Sequence, residues 1–206
     1  MKPKSNVYAY PYGGNIYMNL TNRCCNNCSF CLRASGDGVG GKVLWLESEP
    51  DASQALSAFS QLSSEMPEAK EVVFCGYGEP TYRMDEIKVV AKAAHEKGLK
   101  TRLNTNGLGS LINGRDISGE LKGVIDTVSV SLNESSAEKY DAVCHSVYGL
   151  KAFDEIKAFA KSCAEHGIDT VMSVVDVIGK EAVAECEKIA SECGARLRVR
   201  RYEKKW

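Results

Sequence analysis

The 206-residue sequence predicts an α/β fold in a single domain, with parallel strands alternating with helices. Three observations predict it. Six short extended runs alternate with amphipathic helical runs, which is the signature of repeated βα units. Several helical runs end on glycine after basic residues, as in His95-Glu96-Lys97-Gly98 and Glu165-His166-Gly167, a pattern that closes a helix at its negative end. And several extended runs divide cleanly into an apolar and a polar face.

In chain order, the expected strands are residues 16–20, 71–75, 100–104, 127–133, 170–176 and 196–202. The helices between them are 52–65, 84–97, a weaker 114–122, 151–166 and 180–193. No low-complexity linker divides them, and the length suits one substantial core. In Thr127-Val128-Ser129-Val130-Ser131-Leu132-Asn133 the valines and leucine share one face, and the threonine, serines and asparagine the other. Arg102-Leu103-Asn104, Met18-Asn19-Leu20 and Arg196-Leu197-Arg198-Val199-Arg200 divide likewise. Parallel strands covered on both faces usually read as continuous apolar runs. The polar faces therefore belong to a concave interior, with apolar residues pointing outward beneath the helices and ligands expected near the C-terminal strand ends. An antiparallel sheet with one wet face would alternate too, but intervening helices argue against it.

Charge is balanced at −1, so nothing directs the chain as a whole toward nucleic acid or a lipid surface. The start, MKPKSNVYAYPYGG, lacks the apolar stretch of a signal peptide, and no apolar run has the length of a membrane span. The expectation is a soluble, cytoplasmic protein without membrane contact. Nine cysteines, an odd number with four crowded into residues 24–31, suit a reducing compartment and a metal site better than a disulfide framework.

That crowd follows the first strand, in Thr21-Asn22-Arg23-Cys24-Cys25-Asn26-Asn27-Cys28-Ser29-Phe30-Cys31. Two registers are open, Cys24-x3-Cys28-x2-Cys31 and Cys25-x2-Cys28-x2-Cys31. A bacterial ferredoxin would carry the second register to a fourth cysteine and a proline, where this chain has Ser35 and Gly36. A structural zinc needs four closed ligands, and the next cysteine, Cys75, ends another strand.

The first register, with Phe30 before its last cysteine, resembles the signature of the radical S-adenosylmethionine (SAM) superfamily. Three further segments resemble family motifs at successive strand ends: Cys75-Gly76-Tyr77-Gly78-Glu79-Pro80, Asn104-Thr105-Asn106-Gly107 and Ser131-Leu132-Asn133. The resemblance implies a minimal open partial (βα)6 barrel of the TIM type. It implies a [4Fe-4S] cluster on Cys24, Cys28 and Cys31, whose open iron takes the amino and carboxylate groups of SAM. One-electron cleavage to a 5′-deoxyadenosyl radical and hydrogen abstraction from a substrate follow, with the cofactors carrying the difficult chemistry. By the same resemblance Phe30, Gly76, Tyr77, Gly78, Glu79, Asn104, Ser131 and Asn133 contact cofactor, and the strand pattern adds Arg198 as a further candidate contact. An electron donor such as flavodoxin or ferredoxin is implied as partner. The rival reading is an iron–sulfur electron-transfer or metal-binding module without SAM turnover.

The combination of Asn19-Leu20-Thr21-Asn22-Arg23-Cys24 with the other motifs and Arg198-Val199-Arg200-Arg201-Tyr202 looks most like the small radical SAM proteins associated with TatD-type nucleases. That implies a functional link to such a nuclease but no particular substrate. A short barrel with an accessible side favours a peptide, protein or RNA over a free metabolite. Arg198 or Arg200, on the inward face of the sixth strand, is expected to pair with a carboxylate or phosphate, because an unpaired buried guanidinium is costly. Gly36-x4-Gly41-Lys42 imitates a phosphate loop but has Val43 in place of the required hydroxyl residue. Residues 34–41 read as a loop beside the cluster, and Cys144-His145 as a segment that could carry a hydrogen donor. Cys163, Cys186 and Cys193 read as buried hydrophobes, and His95 and His166 as helix-end residues.

Overall fold

The structure, a computed structural model, describes residues 4–35, 39 and 41–202. The phosphate-loop imitation at 36–42 and the tail lysines, Lys204 and Lys205, fall partly or wholly outside those residues. The chain packs as two compact units, Met1–Cys24 with Leu32–Asn104, and Cys25–Cys31 with Thr105–Lys205.

In the first unit, β1 (Ala9–Tyr12) and β2 (Asn15–Met18) form an antiparallel hairpin that the sequence reading missed. Its two-residue turn is Gly13-Gly14, both with positive φ (55° and 78°), the geometry that matches strand twist. A short α1 (Leu32–Ser35) and then α2 (Ala52–Glu65) follow. Helix α2 starts at a reciprocal cap, in which Asp51 accepts from the Gln54 amide and Gln54 accepts from the Asp51 amide. It buries Ala55 and Phe59. Strand β3 (Glu71–Phe74) lies parallel to β2 and is apolar on both faces, with Val72, Val73 and Phe74 fully buried. Helix α3 (Met84–Glu96) buries Met84, Ile87, Val90, Ala91 and Ala94 at helical spacing, and β4 (Lys100–Thr105) runs parallel to β3.

In the second unit, short helix α4 (Gly109–Asn113) precedes the range 114–122 where one helix was expected, and short helix α5 (Ser118–Leu121) fills only part of that range. Gly114, in the left-handed region, ends the first, and just before the second Asp116 accepts from the Ser118 amide and hydroxyl. Strand β5 (Thr127–Ser131), α6 (Ala137–Cys144), α7 (Lys151–Glu165), β6 (Asp169–Val175), α8 (Lys180–Glu192) and β7 (Arg196–Arg200) complete it. The strands are parallel and follow one another in sequence order, as do β1 to β4 in the first unit.

The alternation holds in β5 and at the end of β4 but not at Met18-Asn19-Leu20, where all three residues are buried. Val128 and Val130 are fully buried while Thr127, Ser129 and Ser131 are not, and Leu103 is buried between Arg102 and Asn104. The last strand departs from expectation. Every residue of β7 except Leu197 is exposed, so its arginines are not buried charges in search of a partner. Arg196 pairs with Asp169 at 2.9 Å, and Arg198 stands in register with Ser173. Among the described residues, no helix is long and apolar enough to cross a membrane.

Candidate functional site

In the first unit, the residues leading to Cys24 are held from three sides. Asn19 is fully buried, donating to the Val7 and Leu44 carbonyls at 3.1 and 2.9 Å and accepting from the Tyr77 amide at 3.4 Å. Its side chain therefore fastens backbone to backbone. Asn22 exchanges two hydrogen bonds with the Leu46 backbone, at 2.8 and 3.1 Å. Glu49 accepts from the Thr21 hydroxyl, from Arg23 Nε and Nη2 (3.0 and 2.9 Å) and from Arg83 Nη1 (3.1 Å). Burial alone would push the Glu49 carboxyl up, but these hydrogen bonds and the two guanidinium charges outweigh it and hold it below the usual carboxylate range.

The turn after β3 lies directly on this segment. The Glu79 amide donates to the Arg23 carbonyl at 2.7 Å. A side chain at Gly78 would meet the Thr21 and Arg23 carbonyl oxygens at 2.4 and 2.6 Å, so only glycine permits this approach. At Gly76 the obstacle would be Asn19 Oδ1, at 2.3 Å. Tyr77 is buried, packed edge-on against Trp45 at 5.2 Å between centroids. Glu79 is buried and accepts from the Thr81 amide and hydroxyl (3.2 and 2.8 Å), capping the 3₁₀ turn Pro80–Arg83. Burial pushes the Cys75 thiol up, and a hydrogen bond from Asn104 opposes that shift. Asn104 keeps its own Oδ1 buried without a donor.

In the second unit, the rest of the cysteine loop is laid along the end of α6. Asn27 and Ser29 amides donate to the Cys144 and Val143 carbonyls (3.0 and 2.9 Å), and the Val147 amide donates to the Cys25 carbonyl at 3.0 Å. Asn26 Nδ2 donates to the buried Tyr140 hydroxyl at 2.7 Å. The two adjacent cysteines have different fates. Cys25 is 3% exposed and accepts from Asn106 Nδ2 at 3.2 Å, whereas Cys24, Cys28 and Cys31 are each half-buried.

Asn133 has positive φ (64°), donates from Nδ2 to Cys144 Sγ at 3.3 Å and leaves its buried Oδ1 without a donor. Ser131 is half-buried and in register with buried Ser173, and Phe30 is 44% exposed. Cys144 is fully buried, and hydrogen bonding with Cys28, opposed by burial and helped by Asn133 and Tyr140, lowers its thiol. His145 ends α6 in the left-handed region. Burial pushes Cys163 and Cys186 up to about 12 and about 11, as suits inert core thiols. Among the described residues, no three His, Cys, Asp or Glu side chains converge in a metal-holding group.

Three participants were missed by the sequence reading: Glu49, the partnership of Cys144 with Cys28, and that of Asn106 with Cys25. Asn106 lay in a quoted motif, and Cys144 in a segment already singled out. Glu49 sits in an irregular stretch with no sequence signal at all.

A model of the radical SAM superfamily matches residues 18–193. The uncharacterized protein MJ0804 of Methanocaldococcus jannaschii is 27% identical over 146 residues, 69% of this chain and 42% of that protein. Streptococcus suis SuiB bound to S-adenosylmethionine superposes with TM-score 0.62 at 21% identity, covering 91% of this chain and 38% of SuiB. A radical SAM methyltransferase from Sphaerobacter thermophilus gives TM-score 0.63 at 15% identity, covering 93% of this chain and 57% of that one. At such identities the structural likeness speaks for the fold, the α/β class of mostly parallel strands that the sequence predicts. The chain spans less than half the length of MJ0804 and SuiB. Matched by the family model across most of its length, the chain belongs to the radical SAM superfamily.

Proposed function

We propose that the chain is the core of a radical SAM enzyme that holds a [4Fe-4S] cluster on Cys24, Cys28 and Cys31 and binds S-adenosylmethionine at the cluster's open iron. The fate of Cys25 carries this register. Its thiol is turned into the protein beneath Asn106, which leaves three half-exposed thiols within the eight-residue stretch 24–31. A donor set one thiolate short of four suits a cluster that takes an exogenous ligand.

When bound, the cluster and SAM supply reductive cleavage of the sulfonium to a 5′-deoxyadenosyl radical, which takes hydrogen from the substrate. The protein's own groups bind and orient. Half-buried backbone at Gly76 and Gly78, with Glu79 beside it, suits an ammonium and its three donors. The orphaned acceptors on Asn104 and Asn133 each cost about 1–3 kcal/mol unless a donor reaches them, and nucleoside hydroxyls are donors. Ser131, one strand position from Leu132-Asn133, adds a hydroxyl on the polar face of β5, and Phe30 offers a half-exposed ring next to Cys31. Arg198, exposed on that same polar side of β7, offers a charge to a carboxylate of SAM or of substrate.

The finer reading follows the motif combination quoted above: a member of the small TatD-nuclease-associated group, linked to such a nuclease and reduced by a flavodoxin- or ferredoxin-like donor. Its substrate is a peptide, protein or RNA. Saturable turnover of a free small metabolite would count against that substrate class.

Anaerobic reconstitution of wild type, Cys24→Ala and Cys25→Ala tests the core proposal. Wild type and Cys25→Ala should carry about four irons per chain and release 5′-deoxyadenosine with dithionite and SAM; Cys24→Ala should do neither. A cluster whose spectrum ignores SAM would make the chain an electron-transfer or metal-binding module. SAM binding without cleavage would make it a binding protein.

A further inference from the structure

We infer that Glu49 is a positioning residue that sets Cys24 against the SAM-binding turn Gly76–Glu79; the inference rests on the radical SAM reading above and extends it to a residue outside the segments 19–31, 75–80, 104–107 and 131–133. One carboxylate reaches both sides of that junction. On the cysteine side it accepts from the Thr21 hydroxyl and takes Arg23 through Nε and Nη2 at 3.0 and 2.9 Å, so the two residues three and one before Cys24 end on the same group. Thr21 Oγ1 in turn accepts from the Arg23 amide at 2.9 Å, which bends the chain into Cys24. On the turn side it takes Arg83 Nη1 at 3.1 Å, and Arg83 closes the 3₁₀ turn that Glu79 caps. Arg83 is itself fixed by Glu86 at 2.6 Å and by the Pro50 carbonyl.

The backbone between these anchors is already in contact. Arg23 O accepts from the Glu79 amide, and Gly78 lies on the Thr21 and Arg23 carbonyls. The Arg23 guanidinium also covers Tyr82, 4.8 Å from its ring centroid. Two guanidinium groups drawn to one carboxylate would repel each other without it, so removing Glu49 loosens both anchors together. The pair with half-exposed Arg23 contributes little to folding, and the pair with Arg83, whose side chain is 19% exposed, contributes modestly. What the arrangement controls is the distance between a cluster ligand and the residues proposed to receive the SAM ammonium, in the manner of the outer groups that orient metal ligands.

The test uses the whole chain, reconstituted anaerobically as wild type, Glu49→Ala, Glu49→Gln and Glu49→Asp. SAM is titrated against the electron paramagnetic resonance spectrum of the dithionite-reduced cluster, alongside iron per chain and the Tm of the apo protein. Iron content should stay near wild type, and half-saturating SAM should rise at least about tenfold in Glu49→Ala and Glu49→Gln. Glu49→Asp, which keeps the charge, should recover most of the affinity. The apo Tm should move by no more than about 4 °C. SAM affinity equal to wild type in both neutral variants overturns the inference. So does an apo Tm that falls much further, with affinity falling in step and aspartate giving no rescue, because the role is then only structural. Should Glu49→Ala fail to fold, the near-isosteric Glu49→Gln is read in its place. A wild-type cluster indifferent to SAM removes the radical SAM reading and the inference together, and is seen before any variant is compared.

Discussion

Gly78 shows how a single missing side chain shapes the candidate site. Its nearest obstacles are two backbone carbonyl oxygens, which cannot move aside as a flexible side chain could. Gly78→Ala should therefore cost about 1–3 kcal/mol in urea unfolding and part the turn from the segment preceding Cys24, weakening the SAM-dependent cluster signal. Asp116 carries a different prediction. Hydrogen bonds from the Ser118 amide and hydroxyl hold its carboxyl below the usual aspartate range. A carboxyl lowered on folding stabilises the fold in full above its unfolded value, and that contribution fades as pH falls through the folded value. Wild type should thus exceed Asp116→Ala in urea midpoint at neutral pH, and the gap should close on acidification below the ordinary aspartate range. The cysteines and the Gly76–Glu79 segment were legible in the sequence because their spacing is local. Glu49 was not, since its partners lie 26 to 34 positions away.

Among the elements, those with a strong period were read to within a residue or two. Helix α2 begins and ends where expected, and α3, α7 and α8 fall one residue short of the expected ends. The start of α2 is also a measurable quantity. Asp51→Ala removes the acceptor for the Gln54 amide and should cost about 1 kcal/mol, lowering Tm by about 2–4 °C. Phe59→Ala, emptying a fully buried position on the same helix, should cost about 3–5 kcal/mol. Elements without a long period were missed. The eight-residue α6 buries Tyr140 and Cys144, too few positions to register as an amphipathic stripe. The β1–β2 hairpin was announced by Gly13-Gly14, but Pro11 inside β1 disguised an edge strand.

At the scale of the whole molecule, near-neutral charge and family membership leave recognition to local groups. If the reconstituted protein binds SAM in its folded state alone, ligand at about a hundredfold over Kd adds about 2.7 kcal/mol, or about 5–10 °C in Tm for a chain of this size. S-adenosylhomocysteine, which lacks the sulfonium charge, and the cluster-free apo protein provide the comparisons, and the largest shift should belong to SAM with the loaded protein. The amino-acid order by itself determined the α/β class, the division of β4 and β5 into apolar and polar faces, and the crowding of four cysteines into one short loop. Those properties repeat every two residues, every three or four, or within one short loop, so neighbours in the chain encode them. Only the tertiary structure decided that Cys25 turns inward beneath Asn106, that Asn27 and Ser29 bond to the Cys144 and Val143 carbonyls, that β7 exposes its arginines, and that Glu49 ties Thr21 and Arg23 to Arg83. Each of these depends on packing between residues far apart in the chain, where burial and hydrogen-bond geometry select a partner that spacing cannot name.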